Sequence, residues 1–208
     1  METVVLLHGL WMKPVVMQPL ALRLRRADYA TRCFSYSSLA NTPQQNARSL
    51  HQYLQSLPGE CVHFVAHSLG GIVLMHYFHL YKDVRPGRVV LLGSPVAGSE
   101  RASQFNQLPF MQTVMGKSTE QGLLGEVPPW SGGRDLGMIA GSRSIGVGNL
   151  LGRSTETNDG IVYVYETQVP GLTDHVVLPT SHSGMLISDK VAQQVIHFIK
   201  NGYFSLAM

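Results

Sequence analysis

Ser68, Asp159 and His182 lie far apart in this chain, and each sits in a local context that nucleophilic chemistry at an acyl carbon would require. Ser68 is the centre of Ala66-His67-Ser68-Leu69-Gly70, directly after the apolar run Cys61-Val62-His63-Phe64-Val65 and directly before a helix-patterned stretch. A serine on a sharp strand-to-helix turn is held exposed and strained, and the turn needs small residues two places either side of it. Ala66 and Gly70 fill those places. A serine hydroxyl is a weak nucleophile until a base takes its proton, and the base needs an acid to orient it. His182 follows the last strand-like run, in Thr180-Ser181-His182-Ser183-Gly184, and suits the base. An imidazole near its solution pKa of about 6.5 can take the proton and hand it to a leaving group. Asp159 is the best candidate acid, in a turn flanked by Asn158 and Gly160, while Asp135, Asp174 and Asp189 stay open as alternatives. His51, His63, His67, His76, His79 and His197 read as packing or surface residues.

Charge developing on an acyl oxygen needs donors fixed before the reaction, which backbone N–H groups provide. The Leu69 amide, next after the serine and at a helix N-terminus, is one. The second is expected from His8-Gly9-Leu10-Trp11, immediately after the first apolar run: the Leu10 amide first, Trp11 second.

These groups must be carried by strands and helices. Thr3–Leu7, Thr31–Tyr36, Cys61–Ala66, Arg88–Leu92, Leu136–Ala140 and His175–Leu178 read as short strands. Helical patterns lie between them at Val15–Ala27, Thr42–Leu57, Leu69–Tyr81 and Gly184–Asn201, the second opening with Thr42 as N-cap, Pro43 and Gln45. Such alternation predicts parallel strands joined by right-handed crossovers, and near-continuous apolar strands predict burial on both faces. The fold class expected is α/β, a mainly parallel sheet between two helical layers. Residues 95–134 break the rhythm, with exposed-looking Phe105, Phe110, Met111 and Met115, and read either as a lid over an acyl groove or as a surface excursion packed on the sheet.

A chain of 208 residues fits one domain, 1–208. Charged residues are 14% against a usual value of about 25%, which excludes disorder as the general state. The net charge of +3 is mild, and Arg23, Arg25, Arg26 and Arg32 do not interleave with aromatics, so nucleic acid is not an expected partner. Cys33 and Cys61 are expected inside central strands as small buried hydrophobes, with no disulfide. No apolar run approaches the roughly 20 residues of a membrane span, and Met1–Leu10 lack a basic leader pattern, so a cytoplasmic protein without integral membrane association is expected. Gly116-Lys117-Ser118 lacks the upstream glycine of a phosphate loop, and Gly146-Val147-Gly148-Asn149-Leu150-Leu151 lacks the third glycine of a dinucleotide fingerprint. His63 with His67, and His76 with His79, lack the carboxylate that a zinc site would add, so neither cofactor nor metal is predicted.

Taken together, His8-Gly9-Leu10, Ala66-His67-Ser68-Leu69-Gly70, Leu92-Gly93-Ser94-Pro95, Asn158-Asp159-Gly160 and Ser181-His182 resemble, in order and rough spacing, the small lipases and esterases of the α/β-hydrolase fold. The resemblance spans nearly the whole chain; Ala66 stands where the family more often has glycine. It implies Ser68, Asp159 and His182 as a triad that cleaves carboxylic esters through an acyl-serine intermediate. The substrate pocket is expected around Trp11, Phe105, Phe110 and Met111, with a small-molecule or lipid ester as partner. Acyl transfer or thioester hydrolysis on the same triad, and a non-catalytic binding protein of the same fold, are the alternatives.

Overall fold

The computed structural model describes residues 1–83, 85–109, 111–145 and 154–205. Phe110 and the Gly146–Leu151 stretch fall outside the described residues, and so does the Met111 side chain. Six strands form one sheet: β1 (Thr3–Leu7), β2 (Ala30–Phe34), β3 (Val62–His67), β4 (Val89–Leu92), β5 (Leu136–Gly141) and β6 (Asp174–Leu178). Their order is β2-β1-β3-β4-β5-β6, and every neighbouring pair is parallel. The helices are α1 (Gln18–Arg26), α2 (Pro43–Gln55), α3 (Leu69–Leu80), α4 (Glu100–Asn106), α5 (Met111–Met115) and α6 (Asp189–Asn201).

Alternation along each strand splits the core into two layers. Val4, Leu6, Val65, Val90, Leu92 and Ile139 face α1 and α6, against Leu20, Leu24, Val195 and Phe198. Val5, Leu7, Phe64, Ala66, Leu91 and Met138 face α2 and α3, against Leu50, Leu54, Val73 and Tyr77. Burying both faces is what makes the strands read as unbroken apolar runs, each fully buried Val, Leu or Phe contributing about 1.5–3 kcal/mol. The expected three-layer architecture is the one found.

Helix boundaries follow their caps. Thr42 Oγ1 accepts the Gln45 amide at 3.2 Å while Gln45 Oε1 accepts the Thr42 amide at 2.9 Å, closing the reciprocal cap expected there. The pattern read as one helix from Gly184 is two pieces: Ser183–Leu186 make a 3-10 turn, and α6 restarts where the Ser188 hydroxyl accepts the Val191 amide. Val15–Ala27 divides likewise, a 3-10 turn at Pro14–Met17 preceding α1. Among the described residues no helix is long and apolar enough to cross a membrane.

The cysteines depart from expectation. Cys33 lies on β2, an edge strand, and Cys61 stands one residue ahead of β3; both are half-buried free thiols. Residues 95–134 also differ from their exposed look. Met115 is buried with Leu69, Ile72, Ala102 and Leu123, and Phe105 packs half-buried against them, because Leu69 and Ile72 of α3 offer this segment an apolar floor.

Candidate active site

Strand order reverses at β1, which lies between β2 and β3, so the carboxyl ends of β1 and β3 border the crevice where ligands of open α/β sheets gather. Leu7 is in register with Ala66, which sets His8-Gly9-Leu10 beside His67-Ser68-Leu69. Ser68 occupies the single residue between β3 and α3, with φ 54° and ψ −122°. A non-glycine residue at positive φ costs of order 1–3 kcal/mol and persists only where the surroundings force it. The force here is steric: a Cβ at Gly70 would lie 2.7 Å from the His8 carbonyl oxygen, and one at Gly71 2.2 Å from Ser94 Oγ. Two adjacent glycines let α3 start directly against β1 and β4.

Asp159 and His182 meet beyond the ends of β4 and β5. His182 Nδ1 donates to Asp159 Oδ2 at 2.7 Å, and the His182 amide donates to the Asp159 carbonyl at 2.8 Å. Asp159 Oδ1 accepts the Ile161 and Val162 amides at 2.9 and 2.7 Å. The acid is therefore not at an open loop tip: it is 1% exposed. Burial alone would raise its pKa, but the His182 ring and the Val162 and Ile161 amides outweigh that and hold it below the ordinary carboxylate value. An ionised Asp159 can only accept, so the neutral imidazole keeps its proton on Nδ1 and presents the Nε2 lone pair. Gly93, at φ 53°, makes room: a Cβ there would sit 2.9 Å from Asp159 Oδ2 and 3.1 Å from His182 Nδ1.

Ser68 and His182 line one cavity of about 330 Å³, walled also by Leu10, Trp11, Met12, Pro95, Ala102, Phe105, Met115, Leu123, Ile161 and Val162. Both are mostly buried, at 8% and 4% exposure, whereas Trp11 at the mouth is 52% exposed. The other acids are engaged elsewhere: Asp135 pairs with Arg88 at 2.9 Å, Asp189 with Arg23 at 2.5 Å, and Asp174 accepts the His175 and Phe204 amides. Of the two amides considered after β1, that of Trp11 donates to Ser38 Oγ at 3.2 Å.

The sequence of residues 4–144 matches the model of the Alpha/beta hydrolase family. The chain belongs to that family. No curated protein matches it. Among solved structures, this alpha/beta hydrolase is similar to the lipase BlEst2 of Bacillus licheniformis in mature form (17% identity, 97% of this chain and 91% of that one, TM-score 0.68). It is also similar to the carboxylesterase CesB of Bacillus subtilis (14% identity, 97% and 84%, TM-score 0.59) and to the phospholipase PlaB of Legionella pneumophila with thio-NAD (16%, 95% and 56%, TM-score 0.70). At these identities the likeness is one of fold.

Two histidines that read as packing or went unassigned have particular tasks in this alpha/beta hydrolase. His67 is fully buried and donates from Nε2 to the His182 carbonyl at 3.0 Å, because a carbonyl can only accept. Burial, with the nearby His182 adding to it, lowers its pKa to about 3, so it stays neutral and fixes the main chain of the loop that carries His182. His8 stacks on Tyr36, 4.2 Å between ring centroids, and its carbonyl accepts the Tyr36 hydroxyl at 2.5 Å. That bond secures the turn carrying Leu10.

Among the described residues one grouping has the spacing of metal ligands: Glu2, Cys61 and His63, whose candidate atoms lie within 4.8 Å of one another. It sits at the other end of β3 from Ser68. His63 Nδ1 accepts the Arg88 amide at 3.0 Å, so the ring proton is on Nε2, the atom that would have to face an ion. The residues therefore suit a proton-sharing cluster, with His63 Nε2 donating to Glu2 Oε2 at 3.2 Å, better than a metal site.

Proposed function

We propose that this chain hydrolyses carboxylic esters through an acyl-serine intermediate, with Ser68 as nucleophile, His182 as base and Asp159 as its orienting acid. The observation that carries this reading is the pairing of a strained Ser68 with a His182 whose Nδ1 is tied to Asp159, both opening on the same apolar cavity. His182 Nε2 takes the Ser68 proton as Oγ attacks the ester carbonyl. The oxyanion is held by the Leu69 amide, which at the first position of α3 has no partner within the helix, and by the Leu10 amide. His182 then protonates the leaving alcohol, and water repeats the cycle to release the acid.

The acyl chain lies in the cavity between Leu10, Met12, Ala102, Phe105, Met115 and Leu123, so residues 95–134 act as the wall that sets chain length. The names of the similar structures, a lipase, a phospholipase and a carboxylesterase, agree with an ester as substrate. The test is labelling by a fluorophosphonate together with a series of p-nitrophenyl esters of rising length, on wild type and Ser68→Ala. Wild type should be labelled and active, and Ser68→Ala neither. Equal labelling of both proteins removes the proposal, and labelling of wild type also separates it from a purely binding role for the fold.

A further inference from the structure

The cavity has two walls that come from separate parts of the chain. Pro95, Ser99, Ala102, Phe105, Met115 and Leu123 belong to the segment after β4, while Ile161 and Val162 belong to the loop that holds Asp159. A buried carboxylate joins them. Glu166, 2% exposed, accepts the Glu100 amide on Oε1 at 2.5 Å and the Tyr163 amide on Oε2 at 2.9 Å. Around that pair the seam continues: the Ala97 amide donates to the Glu166 carbonyl at 3.0 Å, and the Tyr165 hydroxyl donates to Glu100 Oε2 at 2.6 Å.

Each oxygen of Glu166 serves one side. The Glu100 amide opens α4, which carries Ala102 and Phe105 into the cavity wall. The Tyr163 amide follows directly on Ile161 and Val162, whose own amides hold Asp159 Oδ1. A single rigid side chain thus spans the acyl wall and the support of the acid. An apolar side chain here would leave two buried N–H groups unpaired, and an amide could accept from only one of them while turning a donor toward the other.

We propose that Glu166 is a positioning residue that locks the acyl-chain wall to the Asp159 loop, so that an acyl chain seated against α4 also steadies the loop that holds the already formed His182–Asp159 pair. This rests on the reading of Ser68, Asp159 and His182 as the reacting set. The charged and titratable groups facing Glu166 are Glu100 from α4 and Asp159, Tyr163 and Tyr165 from its own loop, while Arg101 of α4 lies 5.0 Å over the Tyr163 ring. Burial lifts the Glu166 carboxyl to about 7, against the pull of the Glu100 and Tyr163 amides, with Glu100 and Asp159 adding to the rise.

The experiment compares p-nitrophenyl acetate and octanoate on wild type, Glu166→Gln and Tyr165→Phe, with rates normalised to fluorophosphonate-titrated sites. In Glu166→Gln, kcat/KM for octanoate should fall about tenfold or more, mainly through KM, while KM for acetate changes less than about threefold. Tyr165→Phe, which cuts only the outer bond of the seam, should shift the same ratio in the same direction by a smaller factor, so a poorly folding Glu166→Gln does not remove the test. Hydrogen exchange with a long-chain phosphonate on Ser68 should protect residues 97–106 and 158–167 together in wild type and only 97–106 in Glu166→Gln. Equal proportional loss for both esters, or joint protection surviving in Glu166→Gln, overturns the lock. Ester hydrolysis surviving Ser68→Ala instead overturns the underlying reading.

Discussion

His182 Nδ1 and Asp159 Oδ2 are 2.7 Å apart, and the second Asp159 oxygen is already committed to the Ile161 and Val162 amides. The acid cannot turn away from the imidazole without breaking two further bonds, so the ring is held in one tautomer. Asp159→Asn would set an amide where the carboxylate accepts and allow the ring to carry its proton on Nε2 instead. The expected result is a fall in kcat on the order of 10⁴ with folding retained, as in the serine-protease template, measured with a p-nitrophenyl ester beside a thermal melt.

Gly70 is the point where α3 touches β1. A Cβ there would lie 2.7 Å from the His8 carbonyl oxygen and 2.9 Å from that of Leu7, both main-chain atoms that cannot rotate aside. Gly70→Ala should destabilise the protein by about 1–3 kcal/mol and should lower kcat as well, because α3 and the turn bearing Leu10 must separate. A urea melt and ester kinetics on the same preparation check both parts. Full activity in a stable Gly70→Ala protein would contradict the close approach.

The sheet was readable because both of its faces are covered, which left the strands as apolar runs such as Val4-Val5-Leu6-Leu7. Ser68 was readable because its turn needs small neighbours within two residues. Asp159 and His182 were named from loop position alone, and their 2.7 Å contact depends on how those loops fold back over β4 and β5. His67, Glu166 and Gly93 carried no local signal of their tasks. Each acts on a residue tens of positions away, and nothing in the adjoining sequence distinguishes a buried histidine that holds a main-chain carbonyl from one that merely packs. Met115 was misread as exposed for a related reason: its covering partners, Leu69 and Ile72, come from α3.

Glu166 should leave a mark on stability as pH changes. Its carboxyl titrates near 4.5 in an open chain and at about 7 when folded. A raised value means that the stability it contributes is fully present below pH 4.5 and lost as pH rises through 7, on the order of 3 kcal/mol in all. Asp159 acts in the opposite sense, its contribution being lost only as pH falls below the ordinary carboxylate range. Between pH 6 and pH 8 the buried histidines, held neutral by desolvation, add stability as the unfolded chain gives up its imidazole protons, His67 at about 3 being the clearest case, and Glu166 subtracts from that rise. Glu166→Gln, which cannot ionise, should therefore gain thermal midpoint more steeply than wild type over that interval even if it is less stable throughout. Parallel slopes for the two proteins in matched buffers would show that Glu166 does not titrate there.

Asp83 offers the contrasting case, far from the cavity. It is 4% exposed and pairs with Arg85 at 3.0 Å and with Arg134, itself 5% exposed, at 3.3 Å. The Arg134 guanidinium also lies 5.5 Å over the Phe64 ring and 5.3 Å over the Phe78 ring, within the α2–α3 side of the core. Burial would raise the Asp83 pKa, but its hydrogen bonds to Arg85 and the charge of Arg134 bring it below the usual carboxylate value, so its contribution is present at neutral pH and lost in acid. Asp83→Asn strands the Arg134 charge in that apolar setting, which should cost about 3–5 kcal/mol. Because this cluster lies at the amino ends of β3, β4 and β5, opposite Ser68, the rate per titrated site at a temperature where the variant is folded should match wild type. A variant that melts early yet turns over normally is the expected outcome, and a changed KM or kcat in the folded fraction would mean that the two ends of the sheet are coupled.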